Sequence, residues 1–177
     1  VDAYQELKHR TGARQVIGVG ARLGATLLCR ILHRVELKRL VLWDPVCDGA
    51  KFHSAAAEVH RRYVLGTQDM RLGRKPSRLH GAQELLGATY SDAAIDELKA
   101  LELTLLRAQS PLPVEWLSTS EPATQRTALQ KISEGAAGRR FEHMTFDCAW
   151  NDITQMAEVL PDVGISKCLA SMVRGVE

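Results

Sequence analysis

The sequence of 177 residues lacks the features that define several large classes of protein. No apolar run approaches the ~18–20 residues that a membrane span needs, so no transmembrane segment is expected. The formal net charge is only +2, and the Lys and Arg residues are dispersed, which argues against a nucleic-acid partner. An apolar content of 45% and a charged content of 25% are typical of a globular protein.

Cysteine is scarce and scattered, and no CxxC pair occurs among Cys29, Cys47, Cys148 and Cys168. Neither a zinc site nor a disulfide framework is therefore expected. We expect a cytoplasmic protein with reduced thiols, and we expect no metal and no other cofactor.

The sequence also lacks an initiator methionine and a signal peptide. Residues 2–9 already follow a helical pattern, with Asp2 as the N-cap and with Tyr4 and Leu7 on the inner face. A chain that opens within a helix is expected to belong to a longer one. We therefore expect a single domain over 1–177 that is completed by a missing N-terminal half or by an oligomer partner.

The most informative stretch is 14–46, which has the pattern strand, glycine turn, helix, strand. An apolar run at 15–19 is broken by glycines at 18, 20 and 24, and a helical pattern follows over 23–34. A second apolar run at 39–43 ends in Asp44. This order predicts a βαβ unit, because parallel strands need a helical crossover. Ligands of α/β folds bind at such strand–helix turns.

The rest of the chain continues the alternation of strands and helices. Residues 47–90 hold few aliphatic runs and predict an insertion that contains a helix at 54–65. Further helices are predicted at 91–107, 123–134, 152–159 and 163–172, and further strands at 114–118 and 140–146, the last at a sheet edge. The pattern predicts an α/β fold with a mainly parallel sheet of about four strands.

Two segments, GARLGATLL at 20–28 and LVLWDPV at 40–46, carry a resemblance to the C-terminal portion of an α/β-hydrolase. More narrowly, the chain resembles the bacterial hydrolases associated with exosortase systems. The resemblance implies an ester or acyl hydrolase scaffold, with a nucleophile elbow at Gly20–Gly24 and a cap at 47–90. It also implies that Glu121 is in the position of the catalytic acid.

The chain departs from that family at the catalytic positions. The elbow requires G-x-S-x-G, and here Arg22 occupies the position of the nucleophile. A guanidinium stays protonated and cannot attack a carbonyl. No histidine follows the last predicted strand, since His143 falls within it. The sequence therefore predicts a hydrolase-like protein of impaired catalysis, with Glu121 as the only candidate acid.

Arg22 itself has two interpretations. It could bind a small acyl or anionic ligand at the start of the helix, where backbone N–H groups and the helix dipole favour anions. The sequence favours the second interpretation, in which Arg22 fills the site in a salt bridge with Asp44, Glu121 or Asp147, and anion binding is its rival. Asp44 is expected either to order the loop after its strand or to line the site.

Two other functions remain open at this stage. Gly18, Gly20 and Gly24 after a strand, with Asp44 at the end of the next, imitate a Rossmann dinucleotide site, although the spacing is one residue longer than G-x-G-x-x-G. The third alternative is a non-catalytic binding or interaction module on a hydrolase scaffold, because fold alone does not determine function.

Overall fold

A four-stranded parallel sheet organises the chain. The computed structural model describes residues 2–64, 82–86, 88–103, 112–119, 139–145 and 163–175. In chain order the elements are α1 (Asp2–Thr11), β1 (Ile17–Ala21), α2 (Leu23–Ile31), β2 (Arg39–Trp43), α3 (Gly49–Val64), β3 (Ala82–Leu85), β4 (Ala88–Ser91), α4 (Asp92–Lys99), β5 (Val114–Ser118), β6 (Arg139–His143) and α5 (Val163–Arg174). The sheet has the order β1-β2-β5-β6, and each neighbouring pair is parallel. The predicted fold class and strand order are therefore confirmed.

Apolar side chains cover both faces of this sheet. Leu40, Leu42 and Trp116 pack with Ala25 and Cys29 of α2 on one face. On the other face, the buried residues are Val41, Leu117, Ile165 and Met172, the last two from α5. Strands buried on both faces need a nearly continuous apolar sequence, which explains the run at 39–43. Burial also raises the pKa of the Cys29 thiol to about 12.

Helix α5 is attached to the sheet by a polar contact as well as by its apolar face. The Nη1 atom of Arg39 donates to Glu115 Oε1 at 3.0 Å and to the carbonyl of Met172 at 2.8 Å. Gly175 follows α5 with a φ of 70°, which most residues avoid, and a Cβ there would lie 2.3 Å from the Arg39 guanidinium. The last turn of α5 is thus fixed against the start of β2.

The first strand lies two residues further along the chain than the sequence predicted. We placed it at 15–19 and expected Gly18 and Gly20 to end it, whereas β1 runs through both glycines. Both pair with β2, Gly18 with Leu40 and Gly20 with Leu42. Glycine is unfavourable inside a strand but is retained where another part of the backbone approaches closely.

Gly20 and Gly24, the two glycines of the turn, differ in how closely the rest of the chain approaches them. A Cβ on Gly20 would lie 2.7 Å from the Cα of Ala25, a backbone atom of α2 that cannot move aside. A Cβ on Gly24 would meet nothing within 4 Å. The close approach of α2 to β1 therefore depends on Gly20 and not on Gly24.

Helix α1 has the predicted position but not the predicted inner face. Leu7 is 46% exposed, and α1 contributes no buried residue. The side chain of Tyr4 does contact the rest of the chain, since its hydroxyl donates to the carbonyl of Glu36 at 2.8 Å. Gly12 ends the helix with a φ of 66° and donates its N–H to Lys8.

Residues 48–102 form a second compact unit, which contains α3, β3, β4 and α4. Helix α3 begins at Gly49, earlier than the predicted 54, because Asp48 Oδ1 accepts the N–H of Lys51 and caps it. The antiparallel hairpin of β3 and β4 was not predicted. Its strands are only four residues long and have no clear alternation of apolar and polar side chains.

Helix α4 is shorter than the predicted 91–107. Ser91 caps it as expected, accepting the N–H of Ala94 at 3.2 Å, but the helix ends at Lys99. The next residues bond to the start of α3 instead: the carbonyl of Leu101 accepts the N–H of Gly49, and Glu102 forms a bridge with Asp48. Local helical pattern is therefore overridden by tertiary pairing.

The end of the chain is described in part. Strand β6 lies at a sheet edge as predicted, one residue earlier than the predicted start, and α5 runs to Arg174 rather than 172. The helices predicted at 123–134 and 152–159, together with Glu121, Asp147 and Cys148, lie outside the described residues.

Gly20→Ala and Gly24→Ala make a matched pair of variants. We expect Gly20→Ala to lower the free energy of unfolding by about 1–3 kcal/mol, because the added methyl overpacks the contact with α2. We expect Gly24→Ala to be neutral or to stabilise the chain by up to about 1 kcal/mol through better helix propensity. Urea denaturation measures both, and equal effects would contradict the distinct role of Gly20.

Candidate functional site

The turn from β1 to α2 is strained at Arg22. This residue has a φ of 51° and a ψ of −126°, and a positive φ is uncommon for any residue other than glycine. Its N–H donates to the carbonyl of Trp43 at 2.9 Å, and its own carbonyl accepts the N–H groups of Ala25 and Thr26. These bonds to β2 and to the first turn of α2 hold the residue in a conformation that costs of order 1–3 kcal/mol.

The Arg22 side chain is half-buried and lies near Asp44 and Cys47, two groups that can carry a negative charge. Burial lowers the pKa of its guanidinium, while the nearby Asp44 and Cys47 raise it. Cys47 is brought to this turn by its neighbour, because Thr26 Oγ1 of α2 donates to the carbonyl of Val46 at 2.9 Å. An arginine remains protonated in proteins, so the site presents a partly desolvated, permanent cation.

Asp44, directly after β2, is fully buried and connects two strand ends. Its N–H donates to the carbonyl of Leu117 at 2.8 Å. Its carboxylate accepts the N–H of Thr119 at 2.8 Å and the Thr119 hydroxyl at 2.5 Å. The indole N–H of Trp43 donates to the same Thr119 oxygen at 2.8 Å. A buried carboxylate is tolerated when donors of this kind satisfy it.

The structure therefore brings two of the candidate side chains, those of Arg22 and Asp44, together. Arg22 and Asp44 interact electrostatically at the carboxyl ends of neighbouring strands. Gly20 lies in the strand beneath the turn, and Gly24 is exposed on α2. Glu121 and Asp147 fall outside the described residues, so their pairing with Arg22 stays a prediction.

Sequence reasoning did not identify Thr119, Trp43 or Cys47 as parts of this site. The signal for Thr119 was its place immediately after β5, which is the neighbour of β2 and ends at the same edge of the sheet. Cys47 was considered only as a structural thiol, because its approach to Arg22 depends on the bond between Thr26 and Val46. Among the described residues, no group of three or more His, Cys, Asp or Glu side chains is arranged to hold a metal ion.

No protein-family model matches the sequence, and no curated protein sequence matches it. Solved structures do match. A hydrolase from Pseudomonas aeruginosa has a TM-score of 0.56 at 16% identity, with 99% of this chain and 70% of that chain covered. Est1E from Butyrivibrio proteoclasticus has a TM-score of 0.55 at 11% identity, with 97% and 67% covered.

A third match is an α/β hydrolase from Sphaerobacter thermophilus, with a TM-score of 0.51 at 17% identity and with 97% and 72% of the two chains covered. This chain thus spans about two thirds to three quarters of the length of these structures. Together with the parallel sheet, the matches show that the chain has the α/β-hydrolase fold in partial form. In the part of the chain that the structure describes, no helix is long and apolar enough to cross a membrane.

Thr119→Val and Thr119→Ser test the polar network at Asp44. Valine removes the hydroxyl that donates to the Asp44 carboxylate and accepts from the Trp43 indole, so both groups lose that hydrogen bond. We expect it to lower the free energy of unfolding by about 1–3 kcal/mol. Serine keeps the hydroxyl and should cost less. Thermal denaturation measures both, and a valine variant as stable as the serine variant would contradict the role of the hydroxyl.

Proposed function

We propose that this hydrolase-fold chain does not hydrolyse esters through its strand–helix turn and instead binds a small acyl or anionic ligand there. The observation that carries the proposal is the residue at the turn. Arg22 has the strained backbone conformation that suits a nucleophile elbow, but its side chain cannot act as a nucleophile. The turn is, on this proposal, a degenerate elbow.

The surroundings of the turn agree with a loss of hydrolytic chemistry. A serine hydrolase needs a base beside its nucleophile and an acid that orients the base. Asp44 is the buried carboxylate at this edge, and its oxygens accept hydrogen bonds from Thr119. Its described contacts therefore order two strand ends rather than orient a histidine.

Anion binding follows from the charge that replaces the nucleophile. A guanidinium can bind a carboxylate or phosphate through paired hydrogen bonds, and partial burial strengthens that attraction. Arg22 also precedes α2, whose N-terminal dipole favours a negative charge. The competing interpretation is that Arg22 fills the site by pairing with Asp44, Glu121 or Asp147, in which case an added anion gains no affinity.

Several finer assignments belong to the same proposal. We propose that the chain is related to the bacterial hydrolases of exosortase systems, which the segments at 20–28 and 40–46 support. We also propose that it is cytoplasmic, because its four scattered cysteines fit reduced thiols. We also propose that residues 47–90 act as a cap and that Glu121 is the remnant of the catalytic acid. The dinucleotide-binding alternative gains no support from the matched structures, which are described as hydrolases.

Fluorophosphonate labelling tests the absence of serine chemistry. We expect no adduct on the purified chain, because no serine occupies the turn, while a serine esterase treated in parallel is labelled. Mass spectrometry locates any adduct. Labelling of a serine whose alanine variant then loses esterase activity would contradict the proposal.

Titration with butyrate, followed by calorimetry, tests the proposed anion site. We expect Arg22→Gln to weaken binding at least tenfold, because it removes the charge at the turn. Arg30→Gln is the matched control, since Arg30 is exposed further along the same helix and should leave the affinity unchanged. No binding by the unmodified chain would favour the interpretation in which Arg22 fills the site.

A further inference from the structure

Helix α3 carries two histidines, His53 and His60, which lie two turns apart on the same side of the helix and are both half-buried. In the described part of the chain, no group of three His, Cys, Asp or Glu side chains is arranged to hold a metal ion, so metal binding does not explain them. The two rings differ in their hydrogen bonds. Within the described residues His53 Nε2 is buried without a partner, whereas His60 Nδ1 accepts the N–H of Leu86 at 3.2 Å.

The bond to His60 fixes the turn of the β3–β4 hairpin. Leu85 and Ala88 are the last pair of that hairpin, so Leu86 is the first residue of the two-residue turn between them. Its φ is 51°, and hairpin turns of this length usually have Asn, Asp or Gly at such a position. A strained backbone persists only where surrounding contacts hold it. The bond to His60, which is 26 residues away in the sequence, is such a contact.

This bond can form in only one protonation state of His60. A neutral imidazole has one ring nitrogen that donates and one that accepts, and Nδ1 is the acceptor here. A protonated imidazole has a hydrogen on both ring nitrogens, so it cannot accept the N–H of Leu86. Histidine is the side chain that changes charge between about pH 5 and 8. The bond is therefore present on the alkaline side of the titration and is lost as the pH falls.

The charged groups around α3 offer no replacement for the lost bond. Glu58, on the same helix as His60, accepts hydrogen bonds from Arg61 and Arg62, which lower the pKa of its carboxyl to about 2. Its charge therefore stays constant while a histidine titrates. The other titratable side chains on β3, β4 and α4 are all exposed, namely Glu84, Tyr90, Asp92, Asp96, Glu97 and Lys99. Among the described residues, no carboxylate forms an ion pair with His60.

We propose that His60 is a pH-sensitive switch for the hairpin turn. The neutral ring holds Leu86 against α3, and protonation of the ring releases it, so that Leu86 can leave its strained conformation. Leu85, one residue earlier, is buried, and the body of the hairpin therefore stays packed while the turn moves. The switch lies within the second unit and does not depend on a ligand at Arg22.

Amide hydrogen exchange followed by NMR on the whole chain, between about pH 5 and 8, tests this proposal. We expect the protection of the Leu86 amide, relative to its intrinsic exchange rate at each pH, to fall at least tenfold on acidification. The midpoint of this fall should coincide with the protonation of the His60 ring, which the same spectra report. Protection that stays constant, or that changes at a different pH from the ring, would overturn the proposal.

Substitutions at the two histidines separate the hydrogen bond from the packing of the ring. Asparagine in His60→Asn places an amide oxygen near the position of Nδ1 and does not titrate, so we expect Leu86 to be protected at both ends of the pH range. His60→Leu has no acceptor, and protection should be low throughout. His53→Gln is the matched control, since it removes the other ring of α3 and should leave the pH dependence unchanged. A pH dependence that persists in His60→Leu, or that disappears in His53→Gln, would overturn the proposal.

Discussion

The close approach of α2 to β1 at Gly20 is the constraint on which the other contacts at the carboxyl end of the sheet depend. Because Gly20 has no side chain, the backbone of Ala25 can lie against the strand, and the first turn of α2 starts directly above it. The chain must then reverse within one residue, which forces the positive φ at Arg22. Thr26 in the same turn binds the loop after β2. Packing at one glycine thus determines the geometry of the candidate site.

The site is organised by two charges that have different surroundings. The carboxylate of Asp44 is fully buried and has hydrogen bonds from Thr119, so its cost of burial is offset by fixed donors. The guanidinium of Arg22 is only partly buried and lies near that carboxylate. The buried charge of Asp44 therefore serves mainly to join β2 to β5, while the charge of Arg22 lies at the turn between β1 and α2. On the function proposed above, this division is the physical basis for a binding role at the turn.

Much of the sheet could be predicted from sequence, because parallel strands are long apolar runs. The segments 39–43 and 114–118 match β2 and β5 in both bounds. Predictions failed where a distant contact overrides a local pattern: Gly18 and Gly20 lie inside β1, and α4 ends early because Leu101 and Glu102 bond to the start of α3. At the site, Arg22 and Asp44 were found from their place after strands. Thr119 was missed because only its hydrogen bonds to Asp44 and Trp43 reveal its role.

The turn at Arg22 also bears on how such a chain changes over evolutionary time. Its N–H and carbonyl bond to Trp43, Ala25 and Thr26, so backbone groups that any residue carries help to maintain the strained shape. A mutation at this codon can therefore replace one chemical group by another while the turn keeps its shape. Reactivity at this position depends on the side chain, whereas folding depends on the backbone of the turn. A reaction can therefore be lost or gained during evolution without a change of fold.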